Sequence, residues 1–175
     1  MGQEKIAAGK APPWDINVVV EIPLRRDTVV AGAGAAGVSA VYHPGNYGFV
    51  PRTLMPDGEP CEALVVGSVS VLPGAILRSR PIGVVELAGE DGGGGSRLVA
   101  VPLERLHPFF MDTTSYRSLP AALLDQIERF LVGFRDIEPG RPMRVARWGE
   151  AEEAAELVEA AIASHRREQS GESGR

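Results

Sequence analysis

The chain has little cysteine, few aromatic residues and no excess of basic charge. Its one cysteine, Cys61, has no partner for an internal disulfide, which is typical of proteins from a reducing compartment. Carboxylates on both sides of Cys61 disfavour its thiolate, so we expect no nucleophilic cysteine. The net charge is −5, whereas non-specific nucleic-acid binding requires a basic surface. The sequence therefore predicts no nucleic-acid partner.

Long apolar runs are also missing. No stretch reaches the roughly 20 apolar residues that span a bilayer as a helix, and the first residues lack the apolar centre of a secretion signal. We therefore expect no membrane partner and a cytoplasmic location. The length of 175 residues suits one domain with a sizeable core. We predict a single domain over residues 1–169 and a disordered polar tail over residues 170–175.

Short β-branched and apolar runs recur along the chain, each bounded by glycine or proline. They lie at residues 16–22, 63–71, 76–77, 82–87, 98–101 and 143–148. Many short strands with turn residues between them are typical of a small β-barrel. Together with two amphipathic segments, they predict an α+β fold that is mainly β: a small OB-like closed β-barrel with two flanking helices.

The two helices are predicted from apolar spacing and end residues. Ser118 and Pro120 precede an apolar stripe that recurs at helical intervals from Leu123 to Phe134, so Ser118 is the expected N-cap. The second helix is predicted over residues 150–167, with acidic residues near its start and basic residues at its end. This distribution of charge suits the helix dipole.

An acidic stretch carries the first chemical signal. Asp57, Glu59 and Glu62 lie within six residues, with Gly58 and Pro60 between them. Carboxylates this close repel one another unless cations neutralise them. Hard divalent cations such as Mg²⁺ prefer oxygen ligands of this kind and often share them with substrate phosphates. The pattern indicates a Mg²⁺ site; a solvated polar turn is the alternative, because Asp, Gly and Pro are common in turns.

A glycine-rich segment at residues 32–37 matches the G-x-G-x-x-G pattern of dinucleotide-binding loops, and residues 28–31 before it have strand character. A dinucleotide fold needs a crossover helix after these glycines, but Pro44, Gly45 and Pro51 would break one. We therefore predict a short hairpin in this region and no nucleotide cofactor.

Several motifs follow one another in an order that closely resembles the family I soluble inorganic pyrophosphatases, over roughly residues 8–164. The family's motifs are V-I-E-I-P, Y-P-x-N-Y-G, D-G-D-P-x-D, R-x-R-P-x-G, K-x-x-A-V-P and a late Y-K. This chain has V-V-V-E-I-P from Val18, H-P-G-N-Y-G from His43, D-G-E-P-C-E from Asp57, R-S-R-P-I-G from Arg78, R-L-V-A-V-P from Arg97 and F-R from Phe134. The resemblance implies Mg²⁺-dependent hydrolysis of pyrophosphate, or of another small phosphoanhydride, by a homo-oligomer that is hexameric in bacteria.

The resemblance also implies a role for eight residues. The metal positions are matched by Asp57, Glu62, Glu21 and Glu90, and the catalytic or phosphate-binding positions by Glu59, Tyr47, Arg97 and Arg135. Asp57 and Glu62 match the main metal ligands, and Glu21 matches an outer ligand of metal and water. Glu59 matches the residue that assists the attacking water.

Some positions depart from the family pattern. Glutamate replaces aspartate at Glu59 and Glu62, arginine replaces lysine at 97 and 135, and Phe134 replaces the late tyrosine. Gly95 occupies an aspartate position, so a metal ligand is missing or is supplied by Asp91, and we expect weaker metal binding. The hairpin also lacks the family's charged residues. Two hypotheses follow: an active diphosphatase, or a catalytically degenerate relative that acts as a binding or regulatory subunit. An unrelated OB-type nucleic-acid binder is disfavoured by the charge and by the lack of a basic aromatic face.

Overall fold

The computed structural model describes residues 6–24, 29–30, 39–40, 44–90, 92–103, 108–110, 112–135 and 143–171. The strands are β1 (Ile16–Ile22), β2 (Val29–Val30), β3 (Ser39–Ala40), β4 (Gly45–Val50), β5 (Cys61–Val66), β6 (Ile76–Gly89), β7 (Gly94–Pro102) and β8 (Met143–Gly149). The α-helices are α1 (Ala121–Arg135) and α2 (Ala151–Gln169), and short 3₁₀ helices lie at Pro108–Phe110 and Tyr116–Ser118. Within these ranges, no helix combines the length and apolar character needed to cross a membrane.

Five strands close into a barrel. Their order is β1-β4-β5-β7-β6, and β6 pairs back with β1 to complete the ring. Neighbouring strands run antiparallel except for β5 and β7, which are parallel. Strand β8 extends the sheet by pairing with the second half of β6. The predicted mainly-β, OB-like closed barrel with two flanking helices is confirmed.

Each helix covers a different hydrophobic cluster of the strands. Ala154 and Val158 of α2 are buried in one cluster, whereas Ile127 and Phe130 of α1 are buried with Tyr47 in the other. Because successive strand residues point to opposite faces, one strand can contribute to both clusters. The barrel strands therefore contribute to a buried cluster on each of their two faces.

Strand β4 was not expected from the sequence, because Gly45, Asn46 and Gly48 are poor strand formers. All six residues are buried. A Cβ atom at Gly48 would lie 1.9 Å from the Val19 carbonyl oxygen, so the close approach of β1 and β4 requires glycine there.

Strand β6 is continuous, although the sequence predicted two separate pieces at residues 76–77 and 82–87. It runs for 14 residues through Pro81. Residues 76–79 pair with β1 and residues 84–89 with β8, so Pro81 lies between the two partners and beside a bulge. A residue without an N–H is tolerated at such a position. The run predicted over residues 63–71 is shorter than expected, because β5 ends at Val66.

The predicted hairpin is present at its base, where β2 and β3 pair antiparallel. The glycine-rich residues 31–38 between them lie outside the described residues. At α1 the expected Ser118 cap is wrong: Ser118 belongs to a 3₁₀ helix, and the Pro120 carbonyl accepts the first helical hydrogen bonds from Leu123 and Leu124. Helix α2 begins and ends close to its predicted bounds, with its acidic first turn and basic last turn.

Candidate active site

The acidic stretch forms the end of the loop between β4 and β5. Thr53 ties the base of this loop together: its hydroxyl donates to the Val50 carbonyl at 2.5 Å and accepts from the Cys61 N–H at 2.9 Å. At the tip, the Asp57 carboxylate accepts a hydrogen bond from the Glu59 N–H at 3.1 Å. Both acidic side chains at the tip are exposed. The loop is therefore fixed at its base while it presents two carboxylates to solvent.

An open pocket of about 300 Å³ lies beside this loop. Its walls come from the loop, β5, the start of β7 and α2; they are formed by Met55, Pro56, Asp57, Pro60, Glu62, Gly94, Gly95, Ser96, Arg97 and Leu157. The fold thus brings together three of the predicted site residues, Asp57, Glu62 and Arg97. The apolar contribution of Leu157 was not predicted, because it depends on how α2 packs against the barrel.

Glu62 and Arg97 form an ion pair in the pocket wall. They are neighbours on the parallel strands β5 and β7, one position before the registered pair Ala63 and Leu98. The Arg97 Nε donates to Glu62 Oε2 at 2.6 Å, and Arg97 Nη1 donates to the Ser96 carbonyl at 2.9 Å. The Arg97 side chain is only 5 % exposed and that of Glu62 24 %. The guanidinium is thus held from two sides in a place where water screens it poorly.

Tyr47 reaches the same pair from β4. Its ring is buried and meets the Phe130 ring of α1 edge-to-face, with 5.6 Å between centroids. Its hydroxyl is hydrogen-bonded to the side chains of both Arg97 and Glu62. Burial is the main reason that the pKa of the Tyr47 phenol is raised well above its ordinary value; Arg97 opposes this shift and Glu62 adds to it. The hydroxyl therefore stays protonated, donates to the Glu62 carboxylate and accepts from the Arg97 guanidinium.

Glu21 lies at a bulge in β1, between the registered residues Val20 and Ile22. Partial burial raises the pKa of its carboxyl group, and the charges of Glu62 and Glu59 raise it further. Glu21 is therefore close enough to both Glu62 and Glu59 to be repelled by their charges. This repulsion is the electrostatic condition that the sequence analysis expected of a cation site.

Five of the eight predicted residues do not line the pocket; Tyr47, Glu21 and Glu59 lie near its wall residues, and the other two have no described place beside it. Glu90 is exposed in the connection between β6 and β7 and is not among the residues that form the pocket walls. The side chain of Arg135, the last residue of α1, lies outside the described part of the chain. The roles of both residues stay predictions. Among the described residues, no three His, Cys, Asp or Glu side chains converge closely enough to hold a metal ion.

Cys61 does not line the pocket. Its side chain is fully buried in the cluster covered by α2. Burial is the main cause that raises the pKa of its thiol to about 12; Arg97 opposes the shift, and Glu62 and Asp57 add to it. The expectation that this cysteine is no nucleophile agrees with the raised pKa, but the carboxylates are a smaller cause than burial.

Comparison with known proteins gives matches over most of the chain. A family model described as inorganic pyrophosphatase matches residues 18–166. An inorganic pyrophosphatase from Caulobacter vibrioides is 40% identical over 171 residues, which are 93% of this chain and 96% of that protein. One from Pseudomonas aeruginosa is 37% identical over 94% of this chain and 98% of that protein.

The fold comparison agrees with the sequence comparison. A solved structure of an inorganic pyrophosphatase from Helicobacter pylori superimposes with a TM-score of 0.77 at 26% identity, and the match covers 93% of this chain and 99% of that chain. The matched segments include the loop between β4 and β5 and the start of β7, which together form most of the pocket.

Proposed function

Because this chain belongs to the inorganic pyrophosphatase family, we propose that it hydrolyses inorganic pyrophosphate to two phosphate ions. The observation that supports this most directly is the pocket in which Asp57 and the Glu62–Arg97 pair share one wall. Hydrolysis of a phosphoanhydride requires cationic groups that hold the phosphates and a carboxylate that accepts a hydrogen bond from the attacking water and orients it. The pocket offers side chains of both kinds.

We propose Mg²⁺ as the cofactor. The donor set fits a hard cation: Asp57, Glu59 and Glu21 offer only carboxylate oxygens. The raised pKa of Glu21, which burial, Glu62 and Glu59 produce, fits as well, because a divalent cation relieves repulsion among carboxylates. When bound, Mg²⁺ neutralises charge on the phosphates and promotes ionisation of the attacking water.

The predicted site residues in and around the pocket have separate proposed tasks. Asp57 holds the cation directly, and Glu21 reaches it mainly through water. Glu59, exposed at the loop tip, orients the attacking water. Arg97 and the Tyr47 hydroxyl, which lie next to each other, are proposed as contacts for the phosphate oxygens. Arg135 at the end of α1 is proposed as a second phosphate contact.

The test is phosphate release from pyrophosphate by the parent protein with Mg²⁺, with Mn²⁺ and without metal. We expect release that depends on the metal, and a decrease in kcat/KM of about 100-fold or more for Asp57→Asn, as for the loss of one oriented electrostatic group. Asp125→Asn is the matched control, because Asp125 is exposed on α1 and is not among the residues of the pocket walls. A parent without phosphate release under any of these conditions would overturn the proposal and favour the binding-subunit hypothesis.

We further propose that the chain forms a homo-oligomer, with six copies as the family resemblance implies, in the cytoplasm. Light scattering at micromolar concentration checks the assembly, and a monomeric mass would contradict it.

A further inference from the structure

Three departures from the family motifs meet at one point in the structure: Glu62, Gly95 and Arg97. Gly95 has φ +143°, a backbone conformation that residues other than glycine rarely adopt. A Cβ atom at this position would lie 3.1 Å from Arg97 Nη1. The guanidinium therefore lies against the space in which any side chain of residue 95 would begin.

The guanidinium depends on its neighbours for its position. It is almost completely buried, with only 5 % of the Arg97 side chain exposed. A buried cation is stable only with a counter-ion and satisfied hydrogen bonds. Here Glu62 supplies the charge, while the Ser96 carbonyl and the Tyr47 hydroxyl supply further hydrogen bonds.

The lengths of the two charged side chains are matched. Glu62 contacts Nε, which lies one bond closer to the backbone than the terminal nitrogen of a lysine does. Aspartate is one bond shorter than glutamate. A glutamate with the Nε of arginine therefore spans the same number of bonds as an aspartate with lysine, whereas either mixed pair is one bond too short or too long.

From these contacts we infer that Glu62, Gly95 and Arg97 are one co-adapted unit. Arg97 is a fixed cation of the pocket wall, Glu62 is the positioning residue that holds it there, and Gly95 leaves room for it. The phosphate-contacting role of Arg97 rests on the proposed function, but the pairing itself does not. On this view Glu62 acts mainly through Arg97, in contrast to the main metal-ligand role that its sequence position implies.

A double-mutant cycle with Glu62→Asp and Arg97→Lys tests the unit. Both variants keep their charge, so each is expected to fold. We expect each single change to raise KM for pyrophosphate about tenfold, and the double variant to return to within about threefold of the parent, since contacting residues are strongly non-additive. The midpoint of urea unfolding should follow the same pattern, with both single variants below the parent and the double variant near it.

Matched controls separate this unit from general effects. The same arginine change in a surface pair, Arg147→Lys beside Glu153, should change neither KM nor the midpoint. Gly95→Ala should raise KM in the parent but much less in the Arg97→Lys background. Gly92 also has a positive φ, but an added Cβ atom there would meet nothing within 4 Å. The effect of Gly92→Ala on KM should therefore be the same whether residue 97 is arginine or lysine.

The outcomes distinguish the two proposals. Additive effects of Glu62→Asp and Arg97→Lys on KM and on the unfolding midpoint overturn the unit even when the parent is active. If the parent releases no phosphate, the proposed function fails, and the unfolding cycle alone decides whether the pairing exists. If Glu62→Asp weakens Mg²⁺ binding in calorimetry and Arg97→Lys does not restore it, Glu62 is a metal ligand and the positioning role is wrong.

Discussion

Arginine and glutamate pair in two different settings in this protein. The buried pair Arg97–Glu62 has side chains that are 5 % and 24 % exposed, whereas the surface pair Arg147–Glu153 has side chains that are 53 % and 42 % exposed. Their N–O distances are almost equal, 2.6 Å and 2.7 Å. Geometry alone would assign the two pairs the same importance.

Burial makes the difference between them. Water and salt screen the surface pair, and such pairs contribute little to stability. In the buried pair, little water reaches the two charges, so each is stabilised mainly by the other. Loss of one partner leaves the other charge buried and uncompensated. The buried pair also forms part of the pocket wall, so a mutation there should change both the stability of the protein and the binding of substrate. A mutation in the surface pair, which does not line this pocket, should not change substrate binding.

The largest expected effect comes from Arg97→Met, which keeps most of the side-chain volume but removes the charge. We expect it to lower the free energy of unfolding by about 3 kcal/mol, the lower end of the range for breaking a buried pair, because Glu62 keeps some contact with water. Urea unfolding followed by circular dichroism measures the change. Arg147→Met is the control and should leave the unfolding midpoint where it is; equal losses for both variants would show that burial does not distinguish the pairs.

A smaller effect is expected from Tyr47→Phe. This change removes only the hydroxyl that is hydrogen-bonded to Arg97 and Glu62. We therefore expect the free energy of unfolding to fall by about 2 kcal/mol, as for hydrogen bonds to charged groups. Tyr116→Phe is the matched control, because the buried Tyr116 ring is stacked on Trp148 with 4.8 Å between centroids and this stacking survives the change. If Tyr47→Phe were as stable as the parent, the Tyr47 hydroxyl would not support the buried pair.

Local patterns explain which parts of the fold the sequence could predict. The bounds of β1 follow directly from its β-branched run, and α2 follows from its apolar spacing and its charged ends. Strand β4 could not be recognised, because its glycines are explained only by the close approach of β1. The continuity of β6 through Pro81 depends on its change of partner from β1 to β8, which is not visible in any short window of sequence.

The candidate site divides in the same way. The acidic loop is one continuous segment, so its motif points directly to Asp57 and Glu59. The contact between Glu62 and Arg97 depends instead on the parallel register of β5 and β7, which joins residues far apart in the chain. The role of Gly95 is equally hidden, since a missing side chain becomes meaningful only when the guanidinium beside it is located.

The smallest expected effects are in the titration of two glutamates, Glu21 in the acidic pocket region and Glu153 in the surface pair. Partial burial, followed by the charges of Glu62 and Glu59, raises the pKa of Glu21 above its ordinary value of 4.5. Hydrogen bonds from Arg147 and from the Glu150 N–H lower the pKa of Glu153 below the same value. The two carboxyl groups should therefore shift in opposite directions when carbon-13 NMR follows their titration.

The two shifts also have opposite consequences for stability. The contribution of Glu21 is fully present below pH 4.5 and is lost as the pH rises through its raised pKa, whereas that of Glu153 is present above pH 4.5 and is lost as the pH falls through its lowered pKa. Both groups are largely solvated, so both contributions are small. Glu59→Gln should lower the pKa of Glu21 without returning it to 4.5, because burial and Glu62 remain, and it should leave Glu153 unchanged. An unchanged pKa of Glu21 in this variant would mean that Glu59 and Glu21 do not share one electrostatic site, and Glu59 would then lose its proposed place beside the cation.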